Sequence, residues 1–165
     1  MTDIAISKLA LGDAEIVALI HASCFDEAWD AATIRKVLAM PGAFGFAARA
    51  DSTGDDPAGD IVGFALARFV ANECELLSLG VVPNRRGRGI GGGLLDASVV
   101  RAYALNAARF YLEVAEDNVD ALRLYEARGL VPVGRQPEYY RLENGQRTAA
   151  LTMRCDLPAR ESPAD

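Results

Sequence analysis

Arg85-Arg86-Gly87-Arg88-Gly89-Ile90-Gly91-Gly92-Gly93 follows one apolar run, Leu76 to Val82, and opens another, Leu94 to Leu105. This order predicts a strand, a glycine-rich turn and a helix. Glycines remove the side chains that would hold a phosphate away from the backbone, and a helix N-terminus offers unpaired N–H groups with about half a positive charge. Arg85, Arg86 and Arg88 add full charges. The stretch is an expected cradle for a polyphosphorylated ligand.

Spacing separates the phosphate-binding motifs that such a stretch can represent. A P-loop carries Lys and Ser or Thr after its last glycine, whereas Gly93 is followed by Leu94 and Leu95. Gly87-Arg88-Gly89-Ile90-Gly91-Gly92 satisfies the dinucleotide-binding pattern G-x-G-x-x-G, and Glu113 stands at a suitable distance for a ribose contact. That turn is tight, however, and here Pro83-Asn84-Arg85-Arg86 intervenes. Its mid-chain position also leaves little length for a doubly wound sheet.

Arg86-Gly87-Arg88-Gly89-Ile90-Gly91 meets a third pattern, Gln/Arg-x-x-Gly-x-Gly/Ala. With its preceding strand it resembles motif A of the GNAT acyltransferases, their acetyl-CoA-binding loop. Leu112-Glu113-Val114-Ala115-Glu116-Asp117-Asn118-Val119-Asp120-Ala121-Leu122-Arg123-Leu124-Tyr125-Glu126-Ala127-Arg128-Gly129-Leu130 resembles motif B at the expected distance. Within that family the chain is similar to the RimI-like enzymes, which acetylate the N-terminal alanine of a small-subunit ribosomal protein. Cys24-Phe25-Asp26-Glu27-Ala28-Trp29 resembles their Phe-x-x-Pro-Trp segment, and Glu75-Leu76-Leu77-Ser78-Leu79-Gly80-Val81 resembles their Glu-Ile-Leu-Thr-Ile-Ala-Val strand. Tyr139-Tyr140 stands where they carry a Tyr pair, so the resemblance runs from about residue 4 to residue 157.

The 165 residues suit one domain with a sizeable core, and the 51% hydrophobic content agrees. We expect that domain over residues 1–157, with a disordered tail over 158–165. A net charge of −6 argues against nucleic acid as a direct ligand, and an acidic body steers a cationic peptide toward the site. Apolar runs fall short of the ~18 residues of a membrane span and Met1-Thr2-Asp3-Ile4 begins no signal peptide, so a cytoplasmic protein is expected. Cys24, Cys74 and Cys155 form no C-x-x-C pair, which suggests neither a disulfide framework nor a zinc site.

Alternation predicts a strand over Asp3 to Lys8, and helical spacing follows from Ala14 to Ile20 with Phe25. Asp30 is the expected N-cap of a second short helix that Pro41-Gly42 stops. Ala43 to Ala50 and Ile61 to Val70 read as strands around a polar loop, Asp51 to Asp60, expected to be mobile and to tolerate deletion. Arg109 to Val114 is a fifth strand, Asn118 caps a helix ending at Gly129, and Leu130 to Gly134 and Arg147 to Asp156 are the last two strands. The resemblance implies the GNAT version of an α/β (α+β) fold. That is a mixed central sheet of about seven strands with about four helices, splayed between strands four and five.

In the resembled family, pantetheine lies along the exposed edge of strand four as another strand would, because unpaired N–H and C=O groups suit an amide-bearing ligand. The resemblance then assigns the pantetheine to the backbone of Leu79, Gly80 and Val81. The pyrophosphate goes to Arg86, Gly87, Arg88, Gly89, Ile90, Gly91 and Gly92, with a coenzyme contact at Asn118. Gly80, where the family usually has Ala, is expected to allow close approach. Glu113 maps onto the general base and Tyr125 onto the general acid, while Trp29, Tyr139 and Tyr140 would line an acceptor groove. Acetyl-CoA is the implied donor, a protein N-terminus the implied acceptor, and no metal is called for. Two departures concern the acceptor end: Ala28 replaces the Pro before Trp29, and Ala149 replaces the Asp of a family ending seen here as Ala149-Ala150-Leu151-Thr152-Met153.

These roles suit amine acetylation, which needs a neutral nucleophile and a proton for the departing thiolate. A carboxyl with the ordinary Glu pKa of about 4.3 takes a proton near neutrality only with burial or a relay. A phenol of pKa about 10 protonates a thiolate whose acid is near 8.5 at a cost of roughly 2 kcal/mol. Deprotonating an α-amine at pH 7 costs about 1 kcal/mol, against about 4.6 for Lys, so an N-terminal acceptor asks less of Glu113. His21 and Cys24 share a helix face, but no Asn or Asp orienter is evident, so direct attack by the acceptor is expected over a Cys nucleophile.

Overall fold

The computed structural model describes residues 4–50, 60–141 and 144–159. Most of the expected loop and the end of the expected tail, residues 51–59 and 160–165, lie outside the described residues, as does Asp3. The elements are β1 (Ile4–Lys8), α1 (Ala14–Cys24), α2 (Ala31–Ala39), β2 (Ala43–Ala50), β3 (Asp60–Val70), β4 (Glu73–Val81), α3 (Ile90–Ala104), β5 (Arg109–Ala115), α4 (Val119–Glu126), β6 (Val131–Arg141) and β7 (Arg147–Asp156). This is the expected order of strands and helices. The strands form a seven-stranded sheet in the order β1-β2-β3-β4-β5-β7-β6, in which β4 and β5 are parallel.

The chain divides into two compact units, and β4 belongs to both: its residues through Leu76 lie in one and those from Leu77 in the other. The first unit holds residues 1–68 and 77–100. There the apolar stripe of α1 (Ala14, Val17, Ile20) and that of α2 (Ile34, Val37) bury themselves against Ala47, Ile61, Phe64 and Leu66 of β2 and β3. Asp30 caps α2 as expected, its carboxylate accepting the Thr33 N–H at 2.8 Å.

The second unit holds residues 69–76 and 101–165. Its parallel ladder runs from Glu73↔Arg109 to Leu76↔Leu112, ending at the point where the resemblance has strands four and five part. Along β5 the side chains of Phe110, Leu112 and Val114 are buried while Arg109 and Glu113 are exposed, so period-two alternation alone turns Glu113 away from the core. Asn118 Oδ1 accepts the Ala121 N–H at 3.3 Å, and α4 closes with Gly129 at φ +85° and paired bonds from Gly129 N–H to Glu126 O and from Leu130 N–H to Tyr125 O.

Two boundaries differ from the sequence reading. α3 begins at Ile90, so Gly91, Gly92 and Gly93 form its first turn instead of a loop. A helix start tolerates glycines because tertiary packing outweighs their poor propensity. β6 continues through Arg141 instead of ending at Gly134, by two shifts of register against β7. The second shift places Gln136 opposite Ala150 and Tyr140 opposite Thr148, so two extra residues bulge out of β6 and Glu138 takes φ +56°.

The two-residue turn joining β3 to β4 has Ala71 at φ 51° and Asn72 at φ 68°. Both central residues of a type I′ hairpin need positive φ, which Ala resists and Gly accepts. Replacing Ala71 by Asn and Asn72 by Gly is expected to raise stability by about 1 kcal/mol in chemical denaturation at unchanged m-value. A neutral or destabilising result would count against this turn.

Candidate active site

The cradle lies in the first unit. Pro83–Arg85 make one turn of 3₁₀ helix after β4, and the chain then passes through Gly87 at φ +77° and Gly89 at φ +82° before entering α3. A Cβ added at either glycine would meet no protein atom within 4 Å. These residues are glycine for their backbone conformation, and the space over them is open to a ligand. The helical ladder begins with the Gly93 N–H bonded to Gly89 O at 3.0 Å, so the N–H groups of Ile90, Gly91 and Gly92 precede it and are available to an anion. Arg88 is exposed on the same loop. The residues present therefore fit a pyrophosphate group.

Arg86 is placed differently from the expectation of a phosphate contact. Its Nε donates to Val81 O at 3.0 Å, and its Nη2 lies 3.3 Å from Cys24 Sγ. Cys24 Sγ in turn donates to the same Val81 carbonyl at 3.5 Å. The chain itself thus engages one of the backbone groups assigned to pantetheine.

Gly80 also has another reason than the one expected. A Cβ there would come to 2.8 Å from Phe64 Cε1 and 3.1 Å from Cys24 Sγ, so the missing side chain makes room for the protein's own core. Phe64 is fully buried, and its ring lies 5.9 Å from that of His21.

His21, 3% exposed, is enclosed by Phe25, Trp29 and Phe64, with ring centroids at 4.4, 4.9 and 5.9 Å. Its Nδ1 accepts the Trp29 backbone N–H at 3.0 Å, and burial holds its pKa below the usual histidine value. His21 is therefore spent on the Phe25-to-Trp29 turn and is not bonded to Cys24. Trp29, expected at the acceptor groove, is half-buried on this histidine.

The expected acid and base lie in the second unit. Tyr125 is 7% exposed, and burial with a smaller contribution from Tyr140 pushes its phenol up to about 12. Tyr140 is also pushed up to about 12, by burial first and then by the negative charge of Glu113 and the neighbouring Tyr139. Tyr140 is thus within electrostatic reach of both Glu113 and Tyr125. Tyr139, 47% exposed, stands edge-on to Tyr140 at 4.9 Å. Both tyrosines stand on β6, beyond the Gly134 at which the strand was expected to end.

Glu113 is exposed. One energetic expectation changes. From about 12, proton transfer from the Tyr125 phenol to a thiolate near 8.5 is uphill by about 5 kcal/mol, where the sequence reading allowed roughly 2. The phenol accordingly stays a neutral O–H donor throughout the working pH range. Asn118, offered as a coenzyme contact, is exposed and caps α4. Ala149, at the family's Asp position, is buried at 4% and lies opposite the β6 bulge, where a carboxylate would be desolvated.

Residues 14–130 match the acetyltransferase (GNAT) family. The chain belongs to that family. It is thus an acyltransferase enzyme, with acetyl-CoA as its donor substrate. This GNAT chain is 35% identical over 162 residues to the N-alpha-acetyltransferase RimI of Mycobacterium tuberculosis, covering 93% of this chain and 92% of that one. It is 33% identical over 97 residues to the ribosomal protein bS18-alanine N-acetyltransferase of Haemophilus influenzae, covering 59% of this chain and 66% of that one. The crystal structure of the ribosomal-protein-S18-alanine N-acetyltransferase from Escherichia coli has the same fold, with a TM-score of 0.83 at 22% identity and 99% of each chain covered. No helix of this GNAT protein among the described residues is long and apolar enough to cross a membrane.

Two measurements test this packing. Gly80→Ala is expected to destabilise by about 1–3 kcal/mol through overpacking, with a smaller penalty in a Phe64→Leu background. Equal penalties in the two backgrounds would show that Phe64 is not the obstacle. For His21, the buried ring resists protonation, so the unfolded chain binds the extra proton first as pH falls through about 6.5, and stability is lost on the acid side. His21→Gln, which cannot titrate, is expected to lose less stability than wild type between pH 7 and pH 5. Parallel losses would place the titration elsewhere.

Proposed function

We propose that this enzyme acetylates the N-terminal α-amine of a protein, with an alanine-initiated ribosomal protein as its acceptor. The observation that carries the reading is the match to a RimI N-alpha-acetyltransferase over almost the whole length of the chain, and the placement of Tyr140 within electrostatic reach of both Glu113 and Tyr125 supports it. The presence of bS18-alanine N-acetyltransferases among its relatives supports this acceptor. The net charge of −6 suits a cationic ribosomal tail, and such an acceptor would place the enzyme in the cytoplasm.

On this reading the backbone N–H groups from Gly87 to Gly92, with Arg88 beside them, hold the pyrophosphate of acetyl-CoA. The pantetheine lies along β4 at Leu79, Gly80 and the Val81 N–H. The acceptor amine is deprotonated through water by Glu113 and attacks the thioester carbonyl, so that a C–N bond forms as the C–S bond breaks. Tyr125 donates its O–H toward the departing sulfur. Given its raised pKa, this contributes as a hydrogen bond that strengthens with the charge on sulfur, and full transfer of the proton accompanies bond cleavage or follows from solvent. Tyr140 stays protonated under the charge of Glu113 and with Tyr139 contacts the acceptor, a role also assigned to Trp29. Asn118 contacts the coenzyme.

Intact-mass analysis of a basic peptide with a free N-terminal Ala is expected to show one added acetyl group, and the same peptide with a blocked N-terminus and free lysines none. Glu113→Gln combined with Tyr125→Phe is expected to lower kcat at least a hundredfold. Acetylation of the blocked peptide would assign the acceptor to lysine, and an undiminished double variant would reject the mechanism.

A further inference from the structure

We infer that Arg86 is a positioning residue for the donor site, acting through the Val81 carbonyl and not as a ligand of phosphate. The inference rests on the acetyl-CoA reading of the loop. Its starting point is one peptide plane. The Val82 N–H donates to Val62 O of β3 at 2.9 Å. The C=O of Val81 belongs to the same rigid, trans peptide and therefore points the opposite way, toward the side of β4 along which a strand-like ligand would lie.

A carbonyl oxygen has two lone pairs, and both are addressed by side chains of this chain: Arg86 Nε at 3.0 Å and Cys24 Sγ at 3.5 Å. Arg86 Nη2, 3.3 Å from Cys24 Sγ, closes the triangle. The last residue of α1, the last residue of β4 and the first residue of the glycine motif are thereby tied at one atom. Two consequences follow. The Nε/Nη2 edge of Arg86 is committed to Val81 and Cys24, so this edge does not chelate a phosphate. And the loop, whose Gly87 and Gly89 have no side chains with which to hold their place, is anchored to the end of β4. That anchor sets the separation between the amides that hold pyrophosphate and the strand groups that hold pantetheine, two subsites that one ligand must reach at once.

The test separates hydrogen bonding from charge. Acetyl-CoA binding to the full chain is measured by calorimetry for wild type, Arg86→Ala and Arg86→Gln at two ionic strengths, and kcat and KM are measured beside it. Gln keeps a planar N–H donor that can reach Val81 O and lacks the charge. Arg86→Ala is expected to weaken binding roughly tenfold, the worth of one charge-assisted hydrogen bond, and to raise KM for acetyl-CoA with kcat little changed. Arg86→Gln is expected to recover most of that loss and to keep the salt dependence of wild type. Binding by Arg86→Gln as weak as by Arg86→Ala, or a shallower salt dependence in Arg86→Gln, would overturn the inference in favour of a direct charge on phosphate. Wild-type affinity in Arg86→Ala would remove any role for the residue. Failure of the wild type to bind acetyl-CoA would reject the donor-site reading itself, so the two failures are distinguishable.

Discussion

The hydrogen-bonding demand of β4 is the constraint from which the rest follows. A strand's N–H and C=O groups must be met on both sides or left to a ligand. From Glu73 to Leu76, β5 meets them in parallel, and near the other end Val62 of β3 takes the Val82 N–H. The parallel ladder stops at Leu76 and Leu112, so the last residues of β4 call for other partners on that side. At Val81 the chain supplies them itself, from an arginine and a cysteine. At Leu79 the same demand suits the amides of a pantetheine arm. The proposed donor site is thus a place where sheet pairing ends, followed at once by a helix whose first N–H groups have no partner in its own ladder.

Close packing behind that strand limits which residues it can hold. Phe64 fills the space beside Gly80, His21 stacks near Phe64, and Trp29 rests on His21. A methyl group at position 80 therefore presses on the same series of rings that positions a tryptophan of the expected acceptor wall. In the second unit, alternation on β5 exposes Glu113 while Leu112 and Val114 anchor the strand, and α4 buries Tyr125 beneath a glycine-terminated cap. Carboxylate and phenol owe their opposite environments to the strand and helix that carry them.

Much of this was legible from residue patterns. Ala43 to Ala50 and Arg147 to Asp156 have the bounds expected from the sequence, Asp30 and Asn118 cap the helices they precede, and Gly129 ends α4 in the left-handed region. These features are local, settled within a few residues by hydrogen bonds and backbone preference. What was misread depends on distant partners. Gly134 and Pro137 are local signals to stop a strand, yet β7 offers enough pairing to carry β6 on through a bulge. Gly91 to Gly93 look like loop residues, yet α3 absorbs them because Leu94 and Leu95 just beyond are fully buried. Gly80 looks like a concession to a ligand until Phe64, sixteen residues earlier, is seen beside it.

The amino-acid sequence by itself determined the order of elements, the glycine motif and its family, and the identity of the carboxylate and phenol offered for proton transfer. Each of these is written in adjacent residues or in fixed short spacings. Tertiary structure alone decided what those residues experience: that Tyr125 becomes a weaker acid through burial, that Tyr140 feels the charge of Glu113, and that Arg86 turns to a backbone carbonyl instead of the loop's open face. Burial and the direction of a hydrogen bond depend on atoms brought together from far along the chain, and no local pattern encodes which atoms those will be.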